Sequence, residues 1–251
     1  MSTHSDVAPS RSRRERPAKP ALTRQGIIDA ALAILRDEGL NKVTMRRIAA
    51  ALDTGAASLY VYVQNTEDLH AQILDALLGA VTAAPPASGT WRERLKGLLT
   101  SYLRVLFAYP EIARMTMVTH PSGPHYLALV EAILVLLDEG DVPDREAAWA
   151  VDLLLLFVTA VAAEQGTRQA SAQAAAEDSA LAVALVTVDA RSYPQIARLG
   201  SELLSGAGID RFAWALDALL AGILGTPRPK TGPESVEHEA REHEAQEKES
   251  R

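Results

Sequence analysis

Thr44-Met45-Arg46-Arg47-Ile48-Ala49-Ala50-Ala51-Leu52-Asp53-Thr54-Gly55-Ala56-Ala57-Ser58-Leu59-Tyr60-Val61-Tyr62-Val63 is the stretch whose pattern decides how the chain is read. Thr44 stands where a side-chain oxygen can cap a short helix, and Met45, Ile48, Ala49 and Leu52 fall on that helix's inner face. Asp53-Thr54-Gly55 signals a turn, after which Ala56 to Val63 is long enough for about two helical turns. Helix, turn with glycine, helix is a helix-turn-helix pattern. Ile48, Leu52, Leu59 and Val63 serve as its anchors, which leaves Ala56, Ala57, Ser58, Tyr60 and Tyr62 at the start and outer face of the second helix. A helix presented in this way fits the major groove of duplex DNA, where its N-terminal end reaches base edges.

The preceding segment completes a compact unit. Thr23 is placed to cap a helix with Ile27, Ile28, Ala31, Leu32 and Leu35 at three- and four-residue spacing, ending at Gly39. Charge is distributed unevenly around it. Residues 11 to 66 hold ten Lys or Arg against five Asp or Glu, a local +5 inside a chain of 251 residues whose net charge is −7. A basic front quarter therefore precedes an acidic body, as a small nucleic-acid-binding head on a larger domain would. Residues 1–21 are Ser-, Pro- and Arg-rich without apolar periodicity and read as a disordered basic arm. Arg11 to Lys19 suits either a minor-groove arm or a solubilising tail. Ser12-Arg13-Arg14 is not followed by the apolar stretch an export signal needs, so the expected location is the cytoplasm. The absence of cysteine excludes disulfides, thiolate nucleophiles, Cys-bound zinc and iron–sulfur clusters.

From Glu67 onward the pattern is helical throughout, with no convincing strand alternation. Helices are expected near 67–83, 91–108, 111–118, 125–138, 144–165, 179–189, 194–204 and 209–224, with a loose stretch around Gly166 to Asp178. The run Ala147 to Ala163 carries Asp152 as its only charge and is apolar nearly all round. It falls just short of the roughly 18 to 20 residues a membrane span needs, and no membrane role is expected. Together with Phe212 to Leu224 it suits a core plus a subunit interface of four-helix form. Residues 227–251, with seven Glu, five Lys or Arg and little to bury, read as a disordered charged tail.

Gln25-Gly26-Ile27-Ile28-Asp29-Ala30-Ala31, Gly39, Val43-Thr44-Met45-Arg46-Arg47-Ile48-Ala49 and Ser58-Leu59-Tyr60-Val61-Tyr62-Val63-Gln64-Asn65 together resemble the DNA-binding signature of the TetR/AcrR family of one-component bacterial repressors. The C-terminal part is more loosely similar to the tetracycline-repressor subgroup, through Trp91, the Thr119-His120-Pro121 bend and Glu164. The resemblance implies an all-α fold: a three-helix DNA-binding domain over 22–66, and a larger ligand-binding and dimerisation domain over 67–226. It further implies that Thr44, Tyr60 and Tyr62 bind phosphates, that Arg46 binds a phosphate or a guanine edge, and that Ala56, Ala57 and Ser58 face bases. The chemistry agrees, since a hydroxyl can donate to phosphate and an alanine methyl can touch a thymine methyl. Taken alone, the two tyrosines would more often be packing residues. Thr66 departs from the family, which has a lysine nearby for a further phosphate.

The same resemblance implies a cavity among the C-terminal helices, whose occupation tilts the helix from Glu67 to Ala83 and separates two DNA-binding heads. The expected function is thus a ligand-responsive repressor that binds palindromic double-stranded operator DNA as a homodimer and is released by a small, mostly apolar effector. Candidate cavity residues are Tyr102, Leu106, Met115, Met117, His120, Tyr126, Trp149, Phe157 and Glu164. As a set they mix aromatic, Met and polar groups as such a pocket does, although core burial is the ordinary fate of each apolar one. Thr116 stands where the subgroup has a metal-chelating histidine, so neither metal nor cofactor is expected. Enzyme motifs are wanting. Gly206-Ala207-Gly208 lacks the preceding strand of a dinucleotide loop, and His238-Glu239-Ala240-Arg241-Glu242-His243 has the wrong spacing for a zinc protease. The alternative is a non-catalytic helical ligand-binding protein whose head does not bind DNA.

Overall fold

The computed structural model describes residues 21–82, 88–117 and 121–229. Among them every regular element is helical. The first three α-helices are α1 (Arg24–Glu38), α2 (Met45–Ala51) and α3 (Ala56–Leu59), with a 3₁₀ turn at Leu40–Lys42. The expected caps form. Thr23 Oγ1 accepts from the Gly26 amide at 3.0 Å, and Thr44 Oγ1 accepts from the Arg47 amide at 3.1 Å. Ile27, Ile28, Ala31, Leu32, Ile34 and Leu35 of α1 are buried, with Ile48, Ala49, Leu59 and Val63 completing the head's core. One expectation is corrected: α3 is four residues long rather than two full turns. The Leu59 carbonyl accepts from the amides of both Tyr62 and Val63, which closes the chain into a turn over Tyr60 to Tyr62. Val63, which follows that turn, is fully buried.

The body comprises α4 (Thr66–Thr82), α5 (Trp91–Ala108), α6 (Pro110–Thr116), α7 (Pro124–Asp138), α8 (Asp144–Ala170), α9 (Ala174–Val186), α10 (Pro194–Leu203) and α11 (Gly208–Gly225). α4 joins head to body. Its start is capped by Asn65, whose Oδ1 accepts from the Asp68 amide at 2.8 Å, and it packs on α1 as well as on α5 and α7. A reciprocal Thr90–Glu93 capping box opens α5. α8 is the axis of the body, with α5, α6, α7 and α11 laid against it.

α8 also corrects the sequence reading. It continues through Gly166 to Ala170, and α9 begins at Ala174, so the expected loose stretch shrinks to three residues. Alanine-rich sequence sustains helix. Gly166 is tolerated because α6 approaches closely there: a Cβ would stand 2.3 Å from the Pro110 Cβ. The stretch 144–169 is long and apolar enough to cross a bilayer by length and composition. Ala147, Ala150, Leu154, Val158 and Ala162 of that helix are buried in the protein core. The C-terminal expectation shifts as well. Pro227 to Pro229 are not free tail: the Arg228 guanidinium stacks over Trp149 at 3.6 Å, and the Arg228 amide donates to Glu146 at 2.7 Å. Residues 1–20, with the basic Arg11 to Lys19, and residues 230–251, with the His238 to His243 stretch, lie outside the described residues.

Candidate nucleic-acid interface and effector cavity

The head presents one polar edge. Thr44, Arg46, Ala57 and Ser58 are exposed, and Tyr60 stands 54% exposed beside them. Thr44 accepts the α2 cap hydrogen bond yet keeps its hydroxyl proton for an outside acceptor. Arg46 has no ion pair or hydrogen bond among the described residues, whereas its neighbour Arg47 is held by Glu38 at 2.5 Å. That contact keeps the Glu38 carboxyl below its ordinary range. Two neighbouring cations therefore differ: Arg47 braces α1 against α2, and Arg46 is available.

Ala56 and Tyr62 do not sit on the outer face where the sequence reading put them. Ala56 is half-buried against the head's core. Tyr62 is half-buried too, and its hydroxyl donates to the Leu22 carbonyl at 2.8 Å. A phenol has one proton to donate, so Tyr62 ties the chain entering α1 to the turn after α3 instead of offering that proton outward. Val61, which the sequence reading passed over, is 80% exposed at the tip of the turn between the two tyrosines. Its only signal was its position between them.

The nine cavity candidates separate into several environments. Tyr102, Met117 and Tyr126 meet at a small cavity of about 90 Å³ between α5, α6, α7 and α8. Thr116, Asp152, Leu155 and Thr159, none of them candidates, line it as well. Leu106 is corrected to core, being fully buried, and Met115 packs half-buried against that core. Trp149 lies on an open groove of about 580 Å³ between α8 and α11. Phe157 and Glu164 border a different opening near the start of α11, where Phe157 stacks on Phe212 at 5.6 Å. His120 lies outside the described residues.

The small cavity mixes polar and apolar side chains from four helices. The Tyr102 hydroxyl and Thr159 Oγ1 share a hydrogen bond of 2.9 Å, and burial pushes the Tyr102 phenol up to about 12. Burial also raises the Tyr126 phenol, and the negative charge of Asp152 adds to that. The backbone of Tyr126 has a separate role. Its amide donates to Asp75 Oδ1 on α4 at 2.9 Å, so a buried carboxylate of the head-linking helix caps the N-terminus of α7. Gly123 makes this possible, since a Cβ there would lie 2.1 Å from the Asp75 carboxyl carbon. The signal available for Thr159 was its spacing: seven residues after Asp152, it returns to the same face of an otherwise apolar helix.

A short helix-turn-helix head carried on a larger helical body defines a transcription regulator. The family model described as "Bacterial regulatory proteins, tetR family" matches residues 27–73, and "Tetracyclin repressor-like, C-terminal domain" matches 84–226. The chain belongs to the TetR family of transcriptional regulators. Among its relatives, the repressor DrrR1 of Streptomyces coeruleorubidus is 29% identical over 84% of this chain and 80% of its own length. The class C tetracycline repressor protein of Escherichia coli is 30% identical over 80% of this chain and 90% of its own length. Among solved structures, a Streptomyces coelicolor transcription regulator is 48% identical, with a TM-score of 0.71 over 85% of this chain and all of that one. The TetR family protein ActR of the same organism, crystallised with actinorhodin, is 36% identical, with a TM-score of 0.73 over 82% of this chain and 96% of its own.

Proposed function

We propose that this regulator is a cytoplasmic repressor that binds palindromic operator DNA as a homodimer, through residues 22–66, and is released by a small, mostly apolar effector held within 67–226. The observation that carries the DNA reading is the exposed edge of Thr44, unpaired Arg46, Ala57, Ser58 and Tyr60, with a cation and hydroxyls for phosphates and small side chains for base edges. The dimer reading is supported by unpartnered apolar surface on two antiparallel helices. Trp149, Leu153 and Leu156 of α8 and Trp214 of α11 are all large and exposed, and Trp214 is 73% so. Packed against a second copy, α8 and α11 form a four-helix arrangement.

Release follows from the Tyr126 linkage. A drug-sized ligand needs roughly 300 to 1,000 Å³, and the cavity holds about 90 Å³. An effector entering between Tyr102, Met117 and Tyr126 therefore spreads the start of α7 from α8. Because the Tyr126 amide is bonded to Asp75, that displacement reaches α4 and the head it carries. An effector that favours the spread form then shifts the heads out of register with half-sites spaced about 34 to 36 Å apart. Gel-shift titration against the palindromes of the neighbouring intergenic DNA tests the reading. Binding of one such site, falling steeply with salt, is expected; no shift with any genomic fragment overturns it.

A further inference from the structure

We propose that the effector of this regulator carries a protonated amine, held by Asp152. The inference rests on the reading of the small cavity as the effector site and adds the chemistry of what enters it. Asp152 is the one charged side chain among the described residues lining that cavity; the rest of the wall is apolar or hydroxyl-bearing. It is also the one charge in the run Ala147 to Ala163. In the single chain its side chain is exposed, and among the described residues it makes no hydrogen bond and no ion pair. The other polar side chains lining the small cavity are the phenols of Tyr102 and Tyr126 and the alcohols of Thr116 and Thr159. Tyr126 stays protonated beside it, and the Tyr102–Thr159 pair lies one wall away.

Asp152 also lines the groove between α8 and α11, so the carboxylate stands where cavity and groove adjoin. Arg228 and Glu146 line the same groove, the Arg228 guanidinium lying over Trp149 and donating to the Arg145 carbonyl at 3.0 Å, and neither lines the small cavity. In the proposed dimer the second copy narrows this opening and thins the water over the carboxylate. Coulomb attraction to a cation strengthens as the local dielectric falls. In the small cavity an anionic ligand meets repulsion from Asp152 with no cation among the described lining residues to offset it. A neutral ligand gains only the hydroxyl hydrogen bonds. A flat apolar body bearing an ammonium satisfies both the apolar lining and the charge, and the hydroxyls of Tyr102, Thr159 and Tyr126 can accept its remaining N–H donors.

Three probes of one shape separate the classes: 9-(aminomethyl)anthracene as the ammonium, 9-anthracenemethanol as the neutral form, and 9-anthracenecarboxylate as the anion. Each is titrated by fluorescence anisotropy into the full-length dimer and into Asp152→Asn at neutral pH. The expected result is that the ammonium binds at least about tenfold more tightly than the alcohol, as one partly desolvated ion pair provides. The anion binds most weakly, and Asp152→Asn removes the order. Salt lowers the preference in the parent protein alone. Equal affinity for ammonium and alcohol, or a preference that survives Asp152→Asn, overturns the amine assignment and leaves the cavity reading standing. Dissociation of the dimer by Asp152→Asn, followed on gel filtration, also overturns it, because Asp152 then pairs across the interface. If none of the probes binds, the cavity reading itself fails and the amine assignment with it.

Discussion

Asp75→Ala is the perturbation that most directly tests how the body is joined to the head. Asp75 is 8% exposed, and its carboxylate receives the Tyr126 amide at the third residue of α7, a helix whose own N-cap position, Gly123, has no side chain to offer. Removing the carboxylate strips α7 of its cap, at about 1 kcal/mol. It also leaves a part-buried N–H without its acceptor, which brings the total to about 2 kcal/mol. For a chain of this size each kcal/mol lowers Tm by about 2 to 4 °C, so a fall of about 4 to 8 °C is expected. Asp75→Asn keeps an acceptor oxygen in place and should lose less than half of that. The functional consequence is read from head spacing. The chain has no cysteine, so a single Ala33→Cys on the exposed face of α1 can be spin-labelled cleanly in each protomer. Pulsed electron-spin distance measurement should then give a broader head-to-head distribution in Asp75→Ala than in Asp75→Asn. A Tm within about 1 °C of the parent, with an unchanged distribution, refutes the claim that this carboxylate transmits anything between α7 and α4.

Arg46→Ala should weaken binding by a similar factor across operator variants and reduce the slope of log affinity against log salt by about one, as loss of a phosphate contact does; a loss confined to one base change would instead make Arg46 a base reader. Tyr62→Phe should cost the head about 1 kcal/mol of stability through the missing bond to Leu22 and leave operator affinity of the folded protein nearly intact. Tyr60→Phe should show the opposite split, and equal affinity losses in the two would restore Tyr62 to the phosphate contacts. Tyr102 gives a pH dependence whose sign is determined by burial. Its folded phenol is pushed up to about 12, above the unfolded value near 10, so its contribution is complete below pH 10 and lost as pH rises toward 12. Thermal melts should show up to about 2 to 3 kcal/mol lost across that window, and Tyr102→Phe should flatten the decline; an unaltered slope in the variant argues against it.

The elements that depend on near neighbours were legible from the residues alone. Thr23 and Thr44 cap because their oxygens lie three residues from the amides they accept, and the apolar spacing of Ile27, Ile28, Ala31, Leu32 and Leu35 returns to one face every turn. Ala57, Ser58 and Tyr60 could be picked out as exposed because a helix exposes what its anchors leave over, although the same reasoning also picked the half-buried Ala56 and Tyr62, while Thr44 and Arg46 were legible through the family resemblance. Tertiary structure decided everything that needed a distant partner. Tyr60 and Tyr62 look alike in the sequence, yet only Tyr62 meets a carbonyl forty residues away. Asp75 reads as one polar residue in an apolar helix until it meets the Tyr126 amide fifty-one residues on. Leu106, Trp149 and Phe157 are equally apolar along the chain, but one lies in the core, one on an open groove and one at a third opening. Hydrogen bonding and spacing within a helical turn are properties of the local chain. Which side chains share a cavity depends on how whole helices cross, and that is a sum over contacts no local window contains.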